Sequence, residues 1–290
     1  MFQGSCVALV TPMAENGQID VASLKGLVEW HISQGTKAIV ALGTTGESST
    51  LTQDESQKVL EVVIETAQGR IPIIAGTGTN STEISISRTQ QAEKLGVDGC
   101  LVVTPYYNRP MQHGLLAHYQ ALARETRLPI ILYNVPKRTG CDLLPETVAK
   151  LSTVPNIIGI KEATGDLSRL EPLKKLCQKG FLFYSGEDGN ALDFILQGGQ
   201  GVISVTANVA PKLMAQMCDF ALSGREDKVR EINNRLEPLH KHLFCETNPI
   251  PTKWALGSLG RIPFGIRLPL TPLSSQYHAS LQDLLKAVGV

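Results

Sequence analysis

Pro129-Ile130-Ile131-Leu132-Tyr133 is an almost unbroken apolar run, and Ile71-Pro72-Ile73-Ile74-Ala75 has the same character. A strand with one wet face alternates apolar and polar residues, whereas a strand covered on both faces reads as a continuous apolar run. Doubly covered strands of this kind belong to parallel sheets with helices on either side. Further Val- and Ile-rich runs lie at 4–10, 38–42, 99–103, 157–161, 181–185 and 201–205. Their starts are roughly 20 to 35 residues apart, room for one strand, one crossover helix and its loops. Stretches 21–34, 52–67, 83–94, 114–126 and 145–151 carry apolar residues at helical spacing. Asp20 and Thr52 stand where N-caps belong, and Gly35, Gly69 and Gly96 stand where helices end.

The count is eight strand–helix units before about Ser223. Eight is the number that closes a parallel barrel, and such barrels take ~250 residues. The expected fold is α/β: a (β/α)8 TIM barrel over residues 1–223 with a helical C-terminal extension over 224–290. The extension reads as helices at 225–244, 251–259 and 275–288, punctuated by Asn248-Pro249-Ile250-Pro251. An open doubly wound sheet is the rival, but its dinucleotide turn is missing. Gly76-Thr77-Gly78-Thr79-Asn80-Ser81 lacks the third glycine, and Gly43-Thr44-Thr45-Gly46-Glu47 lacks the lysine of a phosphate loop.

The 27 Lys+Arg balance 27 Asp+Glu among 290 residues, which leaves no charge excess for nucleic acid or acidic lipid. No run approaches the ~18 apolar residues of a spanning helix, and the N-terminus has no basic leader, so a cytoplasmic protein is expected. Six scattered cysteines without a C-x-x-C pair suggest free, mostly buried thiols. The six histidines fall on helices or their edges, where solvated surface positions are expected rather than metal ligation.

Barrel enzymes do their chemistry where strands run out into the following loops. Those positions here include Thr11, Thr44-Thr45, Thr104-Pro105-Tyr106-Tyr107, Tyr133-Asn134, Lys161-Glu162, Gly186-Glu187 and Ser204-Val205-Thr206. Hydroxyls dominate, with one lysine. Lys161 emerges from the apolar strand 157–160, and desolvation there should favour its free amine. A free amine attacks a ketone to form a Schiff base that serves as an electron sink. Tyr133 ends the preceding strand, so its phenol could move protons at the same mouth. The glycine before Thr44 and Thr45 permits a tight turn whose amides suit a small carboxylate. Arg138, in the loop after Tyr133, offers a bidentate fork for a second carboxylate. Of Tyr106 and Tyr107, at most one should enter its own site.

Gly43-Thr44-Thr45-Gly46-Glu47-Ser48, Tyr133-Asn134-Val135-Pro136 and Gly159-Ile160-Lys161-Glu162-Ala163 together resemble the signatures of the lyase and aldolase family that forms a Schiff base with pyruvate. The likeness is strongest to the branch that condenses pyruvate with L-aspartate 4-semialdehyde on the way to diaminopimelate and lysine. The resemblance runs from Phe2 to Pro272. It implies Lys161 as the Schiff-base lysine and Tyr133 as proton donor and acceptor, linked through Thr44 to a Tyr107 from a neighbouring subunit. It implies Thr45 on the pyruvate carboxylate, Arg138 on the semialdehyde carboxylate, and backbone at Gly186 and Ile203 lining the site. No metal or other cofactor is implied, and the implied assembly is a homotetramer of two tight dimers. N-acetylneuraminate lyases and keto-deoxy sugar-acid aldolases share the lysine and tyrosine, but Arg138-Thr139-Gly140 resembles the synthase branch.

Lysine-inhibited members bind lysine at positions that are here Ser48, Ser49, Gln53, Ser56, Asn80, Ile84 and Tyr106. Gln53, Ser56 and Ile84 depart from the inhibited pattern of two histidines and a glutamate, so weak or absent feedback by L-lysine is expected. Two other classes compete. A phosphate-cofactor barrel would want its glycine-rich loop after the last strands, whereas Gly198-Gly199-Gln200-Gly201 precedes the eighth run. A non-catalytic keto-acid sensor would tolerate Tyr133→Phe.

Overall fold

Eight parallel strands follow one another round a closed barrel: β1 (Gly4–Ala8), β2 (Ala38–Ala41), β3 (Ile73–Gly76), β4 (Gly99–Val103), β5 (Ile130–Asn134), β6 (Ile157–Glu162), β7 (Leu182–Ser185) and β8 (Gly201–Ser204). The computed structural model describes residues 2–290. β8 closes onto β1 with Gly4 opposite Gly201, and a Cβ on Gly201 would fall 2.1 Å from the Gly4 carbonyl oxygen. Only a residue without a side chain lets that seam shut.

Two apolar layers explain the continuous runs. Ile131 and Tyr133 point into the barrel with Cys6, Val40, Leu101 and Ile203. Ile130 and Leu132 point outward against the helix ring, with Val7, Ile39 and Ile160. Each strand therefore buries both faces, as its sequence requires.

The expected caps are present. Asp20 Oδ1 accepts from the Ser23 amide at 3.0 Å, and Thr52 and Glu55 form a reciprocal capping box at the start of the helix Gln53–Ala67. Gly96 closes Thr82–Leu95 in the left-handed region, whereas Gly35 and Gly69 stand one place beyond the caps Gln34 and Gln68. Three helices of the later units, Leu170–Leu176, Ala191–Leu196 and Pro211–Leu222, were not individually resolved by periodicity. The first two span fewer than two full turns, too short for a helical repeat to declare itself.

The C-terminal helices are Glu226–His242, Ile250–Ser258 and His278–Val288. The histidine expectation needs correction. His31, His118 and His240 are buried, each bonded through Nδ1 to a threonine hydroxyl: Thr36, Thr82 and Thr206 respectively. A helix places every third or fourth residue on its inner face, and these three fall there. Four of the six cysteines are buried and all six are free.

Candidate active site

β5 and β6 pair with Tyr133 opposite Lys161, and β7 brings Tyr184 to the other side of the lysine. Register partners in a parallel sheet share a face, so all three side chains point into the barrel, and those of Tyr133 and Lys161 line the cavity at its mouth. Lys161 is 5% exposed, and its Nζ lies 4.4 Å from the centre of the Tyr133 ring. Beneath it Cys6 is buried, and desolvation pushes its thiol up to about 12, with Lys161 opposing the rise. That thiol stays protonated and inert.

Gly186 is needed where it stands. A Cβ there would lie 3.0 Å from Lys161 Cε and 2.5 Å from Ala163 Cβ, so a side chain would displace the lysine stem. Next to it, burial raises the Glu187 carboxyl from its ordinary value, with Lys137 opposing that rise most strongly.

Around the amine a cavity is lined by Thr44, Thr45, Tyr133, Arg138 and Gly186, with Phe244 and Asn248 contributed by the C-terminal segment. Ile203 lies below, 1% exposed, packed inside the barrel with Tyr133 and Tyr184. Arg138 stands on the single turn Pro136–Thr139, and its Nη2 donates to the Asn248 carbonyl at 3.4 Å. Thr45 Oγ1 accepts from Asn248 Nδ2 at 2.9 Å. Thr11 Oγ1 donates to the Gly46 carbonyl at 2.7 Å, tying the same turn to the end of β1.

A larger chamber of about 370 Å³ adjoins the first, lined by Thr44, Tyr133 and Arg138 together with Ser48, Ser49 and Tyr106. Tyr106 thus faces its own chamber. Tyr107 does not: it is 90% exposed, with φ of 74°. A left-handed backbone at a bulky residue costs about 1–2 kcal/mol, and here it turns the phenol away from its own barrel.

Gln53 and Ser56 line a small neighbouring pocket with Arg88, Gln57 and Gln91. Neither that pocket nor the 370 Å³ chamber has an Asp or Glu among its lining residues. Asn80 contributes its carbonyl to Asn108 Nδ2 at 2.8 Å, and Ile84 is half exposed.

Several residues that hold the site have no role assigned from sequence, although Asn134 and Glu162 stand among the strand-end positions and Glu47 in the turn after β2. Asn134 and Glu162, each one place beyond an inward residue, point to the barrel's outside. Asn134 Nδ2 donates to Asp142 Oδ1 at 2.7 Å, and Arg169 bridges Asp142 at 2.9 Å and Glu162 at 3.3 Å. The alternation of strand residues could have placed Asn134 and Glu162 there, but Arg169 and Asp142 come from loops and helices whose approach no local pattern announces. The contacts of Glu47 with Lys253 and of Thr45 with Asn248 are hidden for the same reason.

Residues 1–288 match the family model described as the dihydrodipicolinate synthetase family. The chain belongs to this family. It is 56% identical over 290 residues to the 4-hydroxy-tetrahydrodipicolinate synthase of Alcanivorax borkumensis, covering 100% of this chain and 99% of the relative. It is 55% identical over 291 residues to that of Escherichia coli O139:H28, covering both chains fully at 100%. Among solved structures, the chloride-inhibited dihydrodipicolinate synthase of Acinetobacter baumannii, complexed with pyruvate, superposes with a TM-score of 0.98 at 52% identity, covering 100% of this chain and 99% of that one. The family's members are enzymes, and so is this chain: a lyase that forms a carbon–carbon bond through a Schiff base.

Proposed function

We propose that the side chains gathered round Lys161 carry out the family's reaction, the condensation of pyruvate with L-aspartate 4-semialdehyde. The activity is that of 4-hydroxy-tetrahydrodipicolinate synthase. The observation that carries the assignment of roles is the register of β5 and β6, which sets Tyr133 beside Lys161 with the amine 4.4 Å from the phenol ring.

In this scheme Lys161 Nζ attacks the keto carbon of pyruvate, a proton reaches the departing oxygen, and water leaves as the imine forms. Loss of a methyl proton then gives an enamine, whose carbon attacks the aldehyde of the second substrate. Tyr133 is the group placed to carry protons to and from the carbinolamine oxygen. Thr44, which lines both chambers together with Tyr133, relays protons between Tyr133 and the Tyr107 of a second copy. The turn bearing Thr45 takes the pyruvate carboxylate, and Arg138 takes the carboxylate of the semialdehyde with its guanidinium fork. Backbone groups at Gly186 and Ile203 line the floor. The imine itself supplies the electron sink, so the scheme calls on no metal and no cofactor.

Tyr107 serves the site of a second copy, which makes a dimer the minimum working unit and a homotetramer of two such dimers the proposed assembly. Its support is geometric: Tyr107 is held outward in a left-handed conformation, while Tyr106 faces the chain's own chamber. L-lysine feedback is weak or absent, because no carboxylate lines either chamber to pair with a lysine ammonium. Micromolar inhibition in a coupled assay would refute that part.

Borohydride trapping with pyruvate, read by intact mass and peptide mapping, tests the chemistry. An adduct on Lys161 is expected. Folded protein that gives no adduct at saturating pyruvate would remove the mechanism.

A further inference from the structure

Glu47 closes the turn that follows β2, two residues beyond Thr45, and it does so with φ of 54°. Its side chain folds inward and is 1% exposed. There Oε1 accepts from Lys253 Nζ at 2.5 Å, and Oε2 accepts from the Arg267 backbone amide at 3.2 Å. Lys253 is 3% exposed as a side chain and stands on the helix Ile250–Ser258. The same segment sends Asn248 Nδ2 to Thr45 Oγ1. Two contacts more than 200 residues apart in sequence thus fasten one five-residue turn to the C-terminal helices.

A buried ion pair is a poor way to gain stability, because desolvating both charges offsets most of their attraction. What it does supply is direction. The Glu47 carboxylate accepts from two fixed donors, so its backbone is held in a conformation that an unrestrained glutamate would leave. The Glu47 amide donates to the Thr44 carbonyl at 3.1 Å, so that backbone is tied to the stretch that carries the Thr44 and Thr45 amides.

We propose that Glu47 and Lys253 are positioning residues for the keto-acid carboxylate. Their ion pair clamps the 43–47 turn in the form that receives the carboxylate, so breaking it weakens pyruvate binding and leaves the Lys161 chemistry intact. This rests on the reading that pyruvate forms an imine on Lys161.

The test compares Glu47→Gln, Lys253→Met and the double variant with the unaltered chain. Steady-state kinetics and the pyruvate concentration giving half-maximal borohydride trapping are measured for each. Each single variant should raise the KM for pyruvate about tenfold or more, with the half-trapping concentration rising in parallel. The kcat, the KM for the semialdehyde and the trapping yield at saturation should stay within twofold. Because the two residues act as a unit, the double variant should be no worse than the worse single one. Leu285→Ala, in the far helix His278–Val288, should lower the melting temperature without moving the KM.

An unchanged KM for pyruvate in folded variants overturns the inference. So do effects that add in the double variant, or a fall in kcat at constant KM. Should a single variant leave one charge buried and fail to fold, the neutral double variant carries the same readouts. If the unaltered chain is not trapped by pyruvate at all, the imine reading has failed; trapping with indifferent variants means that only the clamp has failed.

Discussion

At the residue scale, the site is an arrangement of neighbours that constrain one another. Lys161 has Tyr133 and Tyr184 on either flank and Gly186 against its stem. Tyr133→Phe keeps the ring against the amine and removes the hydroxyl, so it should cut kcat about 10²–10³-fold, in the range for a lost proton-transfer group. The imine should still be trapped at long incubation times, and full activity in the variant would remove Tyr133 from the scheme. Gly186→Ala should lower the melting temperature, because the new methyl meets Ala163 Cβ at 2.5 Å, and should lose most of its trapping rate, because it crowds Lys161 Cε at 3.0 Å. Stopped-flow measurement of imine formation distinguishes that from a defect in the second substrate's binding.

At the element scale, local signals and distant contacts divide the work. Thr52 and Glu55 start the helix Gln53–Ala67 with a capping box written into adjacent sequence. Thr52→Ala should therefore cost about 1 kcal/mol of stability, read as a small fall in melting temperature with unchanged kinetics. The same Glu55 also takes Arg267, which holds its carboxyl down at about 2. Caps, strand runs and the barrel count were legible because each depends on residues close in sequence. The place of Lys161 and Tyr133 at the barrel mouth was legible too, since each closes an apolar run one residue before its strand ends. The clamp on the 43–47 turn was not. Glu47 reads as one more polar loop residue until Lys253, 206 residues away, is brought to it.

At the scale of the whole molecule, burial and assembly decide behaviour. Burial pushes the His31 imidazole down to about 3 and that of His118 to about 4, from an ordinary 6.5. The native state refuses protons there that the unfolded chain accepts, so stability falls as pH drops from about 6.5 towards 4. Glu55 adds in the same sense at lower pH, because its folded-state advantage is lost as the carboxyl protonates between about 4.5 and 2. Thermal melts from pH 7 to pH 4 should show this slope, and His31→Gln should flatten it. A slope unaltered in that variant would exclude His31 as a contributor. The outward Tyr107 makes a prediction about assembly. Lys161→Ala and Tyr107→Phe should each abolish or cripple activity alone. Refolded together, they should regain a measurable fraction of it, because mixed dimers carry one site with both residues intact. No recovery in verified mixed dimers would mean that Tyr107 does not cross between subunits.

The sequence by itself determined the eight-unit barrel, since doubly buried strands and capped helices leave periodic marks that survive in one dimension. It also marked Lys161, Tyr133 and the 43–47 turn, because strand ends in such a barrel converge on one mouth. Tertiary structure alone decided which histidines are buried, which way Tyr107 faces, and that Asn248 and Lys253 grip the turn from the far end of the chain. Those outcomes depend on contacts between residues tens to hundreds of positions apart. No local preference of the backbone or periodicity of side chains encodes them; they follow from how the closed barrel brings its loops and the C-terminal helices together.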